Sequence, residues 1–182
     1  MRITGGQLRS RVLNTSGFHG IRPTTDRARE TMFNILLNYC DFEEARVLDI
    51  CAGTGALAFE ALSRGAASAT LIEKSRKNCR LLAESATSLG LHDVVRVVCG
   101  DAVETLASLS PRSFHLIFCD PPYAAKLINS VFRALVTGKV CANECVFVAE
   151  HDIRETVLPP QGWEKLTERH FGETIVEFFR QG

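Results

Sequence analysis

The chain has 182 residues, 21 basic and 21 acidic side chains and a formal net charge of zero. That length is enough to bury a full core around one sheet of roughly six or seven strands, which points to a single enzyme domain. No apolar run is long enough to span a membrane, and Met1-Arg2-Ile3-Thr4-Gly5-Gly6 lacks the apolar stretch of a secretory leader, so a cytoplasmic protein is expected.

Zero net charge does not exclude a nucleic-acid partner, because distribution matters more than the sum. Residues 1–25 carry Arg2, Arg9, Arg11 and Arg22 and no acid. Arginines outnumber lysines 16 to 5, and the planar guanidinium suits phosphates and base edges. Short β-like pieces broken by Gly5-Gly6 and Gly17 read as a hairpin arm with little core-forming power, held beside the catalytic edge. Residues 1–25 are therefore expected to be an RNA-contact arm and residues 26–182 the catalytic domain. Thr25 or Asp26 caps the helix that follows, with Met32, Phe33, Ile35, Leu36 and Leu37 at helical spacing.

Arg46-Val47-Leu48-Asp49-Ile50 reads as a strand, Cys51-Ala52-Gly53-Thr54-Gly55 as a tight turn of small residues, and Ala56 to Arg64 as a helix stopped by Gly65. The glycines let the backbone approach a ligand. Ala58 occupies the third position of a dinucleotide fingerprint, where alanine is allowed. Asp49 argues against a dinucleotide, because a carboxylate there repels a pyrophosphate and suits a ligand amino group. Glu73, 24 residues after Asp49, ends the run Ala69-Thr70-Leu71-Ile72 and is placed to accept from two ribose hydroxyls. Asp101 follows the strand and turn Val94 to Gly100, and its carboxylate suits an adenine amine.

Phe114-His115-Leu116-Ile117-Phe118-Cys119 reads as a buried parallel strand, and Asp120-Pro121-Pro122-Tyr123 follows it directly. Two prolines end any strand, since neither has an N–H to donate. The chain leaves the sheet there with one carboxylate, free backbone carbonyls and one aromatic ring, at the edge where open α/β sheets bind ligands. An acceptor pair beside a stacking ring suits a flat substrate with an exocyclic amine. Asp49, Glu73, Asp101 and Asp120 each sit at or just past an apolar strand, so all four are expected on one edge of one sheet.

The remaining segments alternate in the same way. Lys77 to Leu89, Ala102 to Leu109 and Ile128 to Val136 read as helices, and Cys145 to Ala149 as a buried strand ending at Glu150. Trp163 to His170 and Thr174 to Phe179 form a closing hairpin across Gly172 that supplies an antiparallel strand at one edge. Strands alternating with helices imply a right-handed parallel sheet. Seven cysteines, an odd number with no C-x-x-C pair, read as reduced, buried small residues. Cys141 and Cys145 share a face on a helix, but no histidine completes a metal set, and no metal is expected.

The order Asp49-x-x-x-Gly53-Thr54-Gly55, Glu73, Gly100-Asp101-Ala102 and Asp120-Pro121-Pro122-Tyr123 resembles a class I S-adenosylmethionine-dependent methyltransferase of the amino-methylating type. Met1 to Gly6, Ile21 to Glu30, Gly53 to Leu57, Glu60 to Ala66 and Phe171 to Thr174 resemble the RsmD family. The likeness covers nearly the whole chain. One departure is Ile50-Cys51, where that family usually has Leu-Phe, and it falls on the pocket wall.

The resemblance implies a class I methyltransferase Rossmann-like fold, with a mostly parallel seven-stranded sheet, one antiparallel edge strand and an N-terminal β-hairpin arm. It implies transfer of a methyl group from S-adenosylmethionine to the 2-amino group of a guanine in bacterial 16S ribosomal RNA. S-adenosylhomocysteine is then the product, and the substrate an assembled or assembling small ribosomal subunit. Independently of the resemblance, a monomer is expected. The cofactor site is expected from Asp49, Ala52, Gly53, Gly55, Glu73, Asp101, Ala102 and Asp120. The catalytic group is Asp120, Pro121, Pro122 and Tyr123, with Tyr123 stacking on the base, and Arg2, Arg9, Arg11 and Arg22 contact RNA. The tetrapeptide does not separate guanine from adenine, since both amines offer two N–H donors. An adenine-N6 methyltransferase and a non-catalytic RNA-binding relative are the alternatives.

Overall fold

The computed structural model describes residues 1–18, 25–122 and 126–182. In chain order it has α1 (Asp26–Leu36), β1 (Arg46–Ile50), α2 (Ala56–Ser63), β2 (Ser68–Glu73), α3 (Arg76–Leu89) and β3 (Val95–Cys99). Then come α4 (Ala102–Leu106), β4 (Phe114–Cys119), α5 (Ile128–Gly138), β5 (Cys141–Asp152), β6 (Trp163–Phe171) and β7 (Thr174–Gln181). The seven strands form one sheet in the order β3-β2-β1-β4-β5-β7-β6. Pairing is parallel from β3 through β5, and β7 is antiparallel to both β5 and β6. This is the expected Rossmann-like arrangement, with one refinement: the antiparallel strand lies one place inside the edge, and β6 forms the edge itself.

Composition explains that order. Ile175, Val176, Phe178 and Phe179 make β7 apolar on both faces, with Phe178 in one core layer and Phe179 in the other, so it takes an inner position. β6 carries Glu164, Lys165, Glu168, Arg169 and His170 and tolerates the solvated edge. Helices cover both sheet faces, which is why the parallel strands read as continuous apolar runs. One layer joins α1, α2 and α3 to the sheet, with the Phe33 and Phe118 rings 5.6 Å apart. The other joins α4 and α5, where Phe132 meets Phe147 at 4.7 Å, Trp163 at 4.9 Å and Phe179 at 5.1 Å.

The N-terminal segment is more firmly seated than its composition suggests. Arg2 and Val12 form one antiparallel bridge, supported by Ile3 N–H donating to the Arg11 carbonyl at 3.0 Å. Ile3 and Leu13 are 2% and 3% exposed and belong to the core. Gly6 holds a left-handed φ of 74° against the end of α2, where a Cβ would stand 1.8 Å from the Ser63 carbonyl oxygen, so no other residue fits.

A buried carboxylate ties this segment down. Glu60 on α2 accepts from Thr4 N at 2.8 Å, Thr4 Oγ1 at 2.7 Å, Gly5 N at 2.8 Å and Arg64 Nε at 3.0 Å. Arg29 of α1 approaches it at 3.4 Å, and both side chains are fully buried. Cys141 and Cys145 lie on β5, not on a helix, because the buried run of that strand begins earlier than the apolar cluster alone suggests. Among the described residues no helix is long and apolar enough to cross a membrane.

Candidate active site

The sheet order brings four acids to one edge. β3, β2, β1 and β4 are neighbours in that order, so Asp101, Glu73, Asp49 and Asp120 follow one another across the carboxyl ends of the strands. This is the arrangement expected from the sequence, and it needs only parallel pairing and equal strand levels.

The turn after β1 is built from left-handed residues: Cys51 at φ 61°, Gly53 at 55° and Gly55 at 73°. Gly55 occupies the N-cap of α2, where a Cβ would lie 2.7 Å from Phe59 and 2.8 Å from Leu82. A glycine cap offers no side-chain acceptor, and Asp49 takes over that role by accepting from the Ala58 amide at 3.2 Å. Ala52 N–H donates to the Ile72 carbonyl at 3.0 Å, which fixes the turn against β2. Asp49 is 2% exposed. Burial pushes its carboxyl up to about 8; the Ala58 amide pulls it down less than burial raises it, and the Glu73 charge raises it further.

Glu73 joins two loops. Its Oε2 accepts from Gly53 N at 3.1 Å and its Oε1 from Ser75 N at 2.8 Å. Each carboxylate oxygen has a second acceptor site, so room remains for ligand hydroxyls. Asp101 caps α4 through Oδ1, accepting from Val103 N at 3.0 Å, while Oδ2 meets Lys74 Nζ at 3.3 Å. Desolvation is the largest single influence on its carboxyl and raises it, but the Lys74 ammonium and the two α4 amides together outweigh it and hold the group below its ordinary value. Ala102 behind it is buried.

Asp120 is half-buried just beyond β4, Pro121 is buried and Pro122 exposed. Tyr123 lies outside the described residues, as does Arg22. Arg2, Arg9 and Arg11 are exposed. Arg11 Nη2 donates to the Ser88 carbonyl at 3.0 Å, which lays the N-terminal segment along α3, and the Arg2 carbonyl accepts from Arg29.

Two features of the site have no clear sequence signal of their own. The Cys51 and Cys119 thiols touch at the pocket wall; burial first, then Cys51 and the charges of Asp120 and Asp49, push the Cys119 thiol well up. Glu150 stands beside Asp120 on the neighbouring strand; it follows an apolar run as Asp120 does, but no turn signal follows it. An open cavity of about 530 Å³ lined by residues 37–43 and Arg64 lies at the opposite, amino edge of the sheet, away from all four acids.

Known proteins share this architecture over the full chain. The family model described as Conserved hypothetical protein 95 matches residues 1–180. Ribosomal RNA small subunit methyltransferase D of Escherichia coli K12 is 36% identical over 183 residues, covering 100% of this chain and 90% of that protein. The protein of the same name from Haemophilus influenzae is 29% identical over 174 residues, covering 94% and 89%. The solved structure of Escherichia coli yhhF superposes with a TM-score of 0.87 at 32% identity and covers 100% of this chain and 97% of that one. The chain belongs to the Conserved hypothetical protein 95 family, the RsmD family of the sequence resemblance.

Proposed function

We propose that the protein methylates the 2-amino group of a guanine in 16S ribosomal RNA, with S-adenosylmethionine as methyl donor. The observation that carries this reading is the row Asp101, Glu73, Asp49, Asp120 along one sheet edge of a chain whose relatives are named small-subunit ribosomal RNA methyltransferases.

The donor set fits that cofactor. Asp49, buried beside a glycine turn, faces the amino group of its amino-acid tail and ionises against that positive charge. Glu73 accepts from the ribose hydroxyls, and Gly53 and Gly55 let the backbone come close. Asp101 faces the adenine amine through Oδ2, in exchange for Lys74. Ala52 and Ala102 shape the walls. When bound, the cofactor supplies a methyl group made electrophilic by its sulfonium.

The guanine amine is a weak nucleophile, because its lone pair is delocalised into the ring. Asp120 and the Pro121 carbonyl accept its two protons and hold the nitrogen in line. Positioning of this kind contributes up to about 7–11 kcal/mol in well-oriented intramolecular reactions. As the nitrogen–carbon bond formed and the methyl carbon–sulfur bond broke, leaving S-adenosylhomocysteine, positive charge would grow on nitrogen, and the Asp120 carboxylate would stabilise it and receive the departing proton. Pro122 stiffens the loop, and Tyr123 stacks on the flipped base, a contact of about 1–3 kcal/mol.

Arg2, Arg9, Arg11 and Arg22 contact the RNA backbone from residues 1–25. So small an enzyme takes specificity from substrate shape, which favours a monomer acting on an assembled or assembling small subunit in the cytoplasm. Labelled methyl transfer to small subunits from cells lacking the endogenous enzyme, followed by nucleoside analysis, tests the reading. Label in 2-methylguanine is expected. Label in 6-methyladenine overturns the base assignment, and no label overturns the substrate.

A further inference from the structure

α3 opens at the catalytic edge, just after Glu73, and its first turns are basic. Lys74-Ser75-Arg76-Lys77-Asn78-Cys79-Arg80 carries four cations, and no acid follows before Glu84. Asn78, Cys79 and Leu82 turn into the protein, while Arg76, Lys77 and Arg80 are exposed on the outer face. Lys74 pairs with Asp101; among the described residues the other three have no ion pair. Cations at the start of a helix oppose its macrodipole, and α3 has no acid in its first turn to offset them. Their placement works against folding stability, so its reason lies outside the fold.

The N-terminal segment lies along the same helix. Arg11 donates to the Ser88 carbonyl in the last turn at 3.0 Å, and a Cβ on Gly17 would stand 3.5 Å from Leu81. Lys77, Leu81 and Ser88 share one flank of α3, at helical spacing. The segment therefore runs from the end of α3 back towards its basic start, and Ser88 and Arg76 are roughly 18 Å apart along the helix axis. Residues 1–18 and 74–83 hold seven of the 21 basic side chains and none of the 21 acids, which leaves 14 basic against 21 acidic elsewhere. A chain of zero net charge thus gathers positive charge on one surface that ends beside the four acids, and such a surface attracts a polyanion. We propose that Arg76, Lys77 and Arg80 bind phosphates of the substrate RNA and, with Arg9 and Arg11, form one track that leads its backbone to the catalytic edge. The inference rests on the RNA reading given above and extends the RNA contact from residues 1–25 onto the catalytic domain.

The test measures binding to small ribosomal subunits from cells lacking the endogenous enzyme across a salt series. A variant combining Arg76→Gln, Lys77→Gln and Arg80→Gln keeps good helix formers at exposed positions. It should lower the slope of log affinity against log salt by about 2–3, since each phosphate contact contributes about 0.7–0.9. Affinity should fall roughly a hundredfold at about 0.1 M salt, and the two proteins should converge towards about 1 M. The melting temperature and the affinity for S-adenosylmethionine by calorimetry should stay at the wild-type values. A control combining Arg112→Gln, Arg133→Gln and Lys139→Gln removes the same charge from exposed positions around α5, on the other face of the sheet. It should keep the wild-type slope. An unchanged slope in the α3 variant overturns the inference. So does an equal loss in the control, which would make total charge responsible and not this face. A wild type that neither binds nor methylates the subunits overturns the RNA reading itself, a separate and visible outcome.

Discussion

The Asp49 carboxylate and the Ala58 amide, nine residues apart, meet at 3.2 Å across the glycine turn, so the strand itself caps the helix that follows it. The cap is held at 2% exposure, and burial raises the carboxyl from 3.8 to about 8.

This shift has a definite sign. Between pH 3.8 and about 8 the folded state binds the Asp49 proton and the unfolded chain does not. The contribution of this group to stability therefore falls as pH rises through that window, by at most about 1.4 kcal/mol per pH unit. Asp49→Asn imitates the protonated form and removes the dependence. Denaturant unfolding at pH 5 and pH 8 should show the variant gaining on the wild type at the higher pH. An equal difference at both pH values would mean that Asp49 titrates normally.

Glu73 receives the Gly53 and Ser75 amides and, by the proposed function, two ribose hydroxyls. Glu73→Ala should weaken S-adenosylmethionine binding by about 1.5–3 kcal/mol, the usual worth of hydrogen bonds to a charged group. Calorimetry reads this directly, and unchanged affinity would remove Glu73 from the ribose site.

By the proposed function, Asp120, just beyond the strand end, acts mainly in turnover. Asp120→Ala should lower kcat by at least about 10²-fold with cofactor affinity largely retained. Parallel loss of both quantities would place Asp120 in the cofactor site instead.

Glu60 is fully buried and joins Thr4, Gly5, Arg29 and Arg64. Glu60→Ala leaves the Arg29 charge buried without this partner, a change that typically costs about 3–5 kcal/mol. For a chain of this length the melting temperature should drop by roughly 10 °C. Faster cleavage within residues 1–13 under limited proteolysis should accompany it.

Arg9 and Arg11 are exposed on the N-terminal segment, with Arg11 resting on the end of α3. Charge reversal of both should weaken RNA binding and flatten its dependence on salt by about 0.7–0.9 logarithmic units per lost phosphate contact. Unchanged affinity and slope would make the segment a structural brace alone.

The row of four acids was legible because each depends on a local pattern, an apolar run followed by an acid. Parallel neighbours turn equal local patterns into one edge. The same pattern at Glu150 does not mark a strand end, because no turn signal follows it and β5 continues to Asp152. The place of Asp101 in the sequence suits an adenine partner, whereas its capping of α4 and pairing with Lys74 depend on the fold. In the sequence Gly5-Gly6 reads as a break between short β-like pieces, whereas in the fold it packs closely against Ser63, a contact across more than fifty residues of sequence.

Local sequence is enough for the alternation of strands and helices, the turn geometry that demands Gly55, and the types of side chain at the strand ends. These follow from backbone sterics and periodicity within a few residues. It takes the assembled fold to insert β7 between β5 and β6, to seat the N-terminal segment on Glu60, and to set Glu150 beside Asp120. Those relationships join residues far apart in the chain, and their energies come from burial and charge pairing that exist only once the two core layers have closed on the sheet.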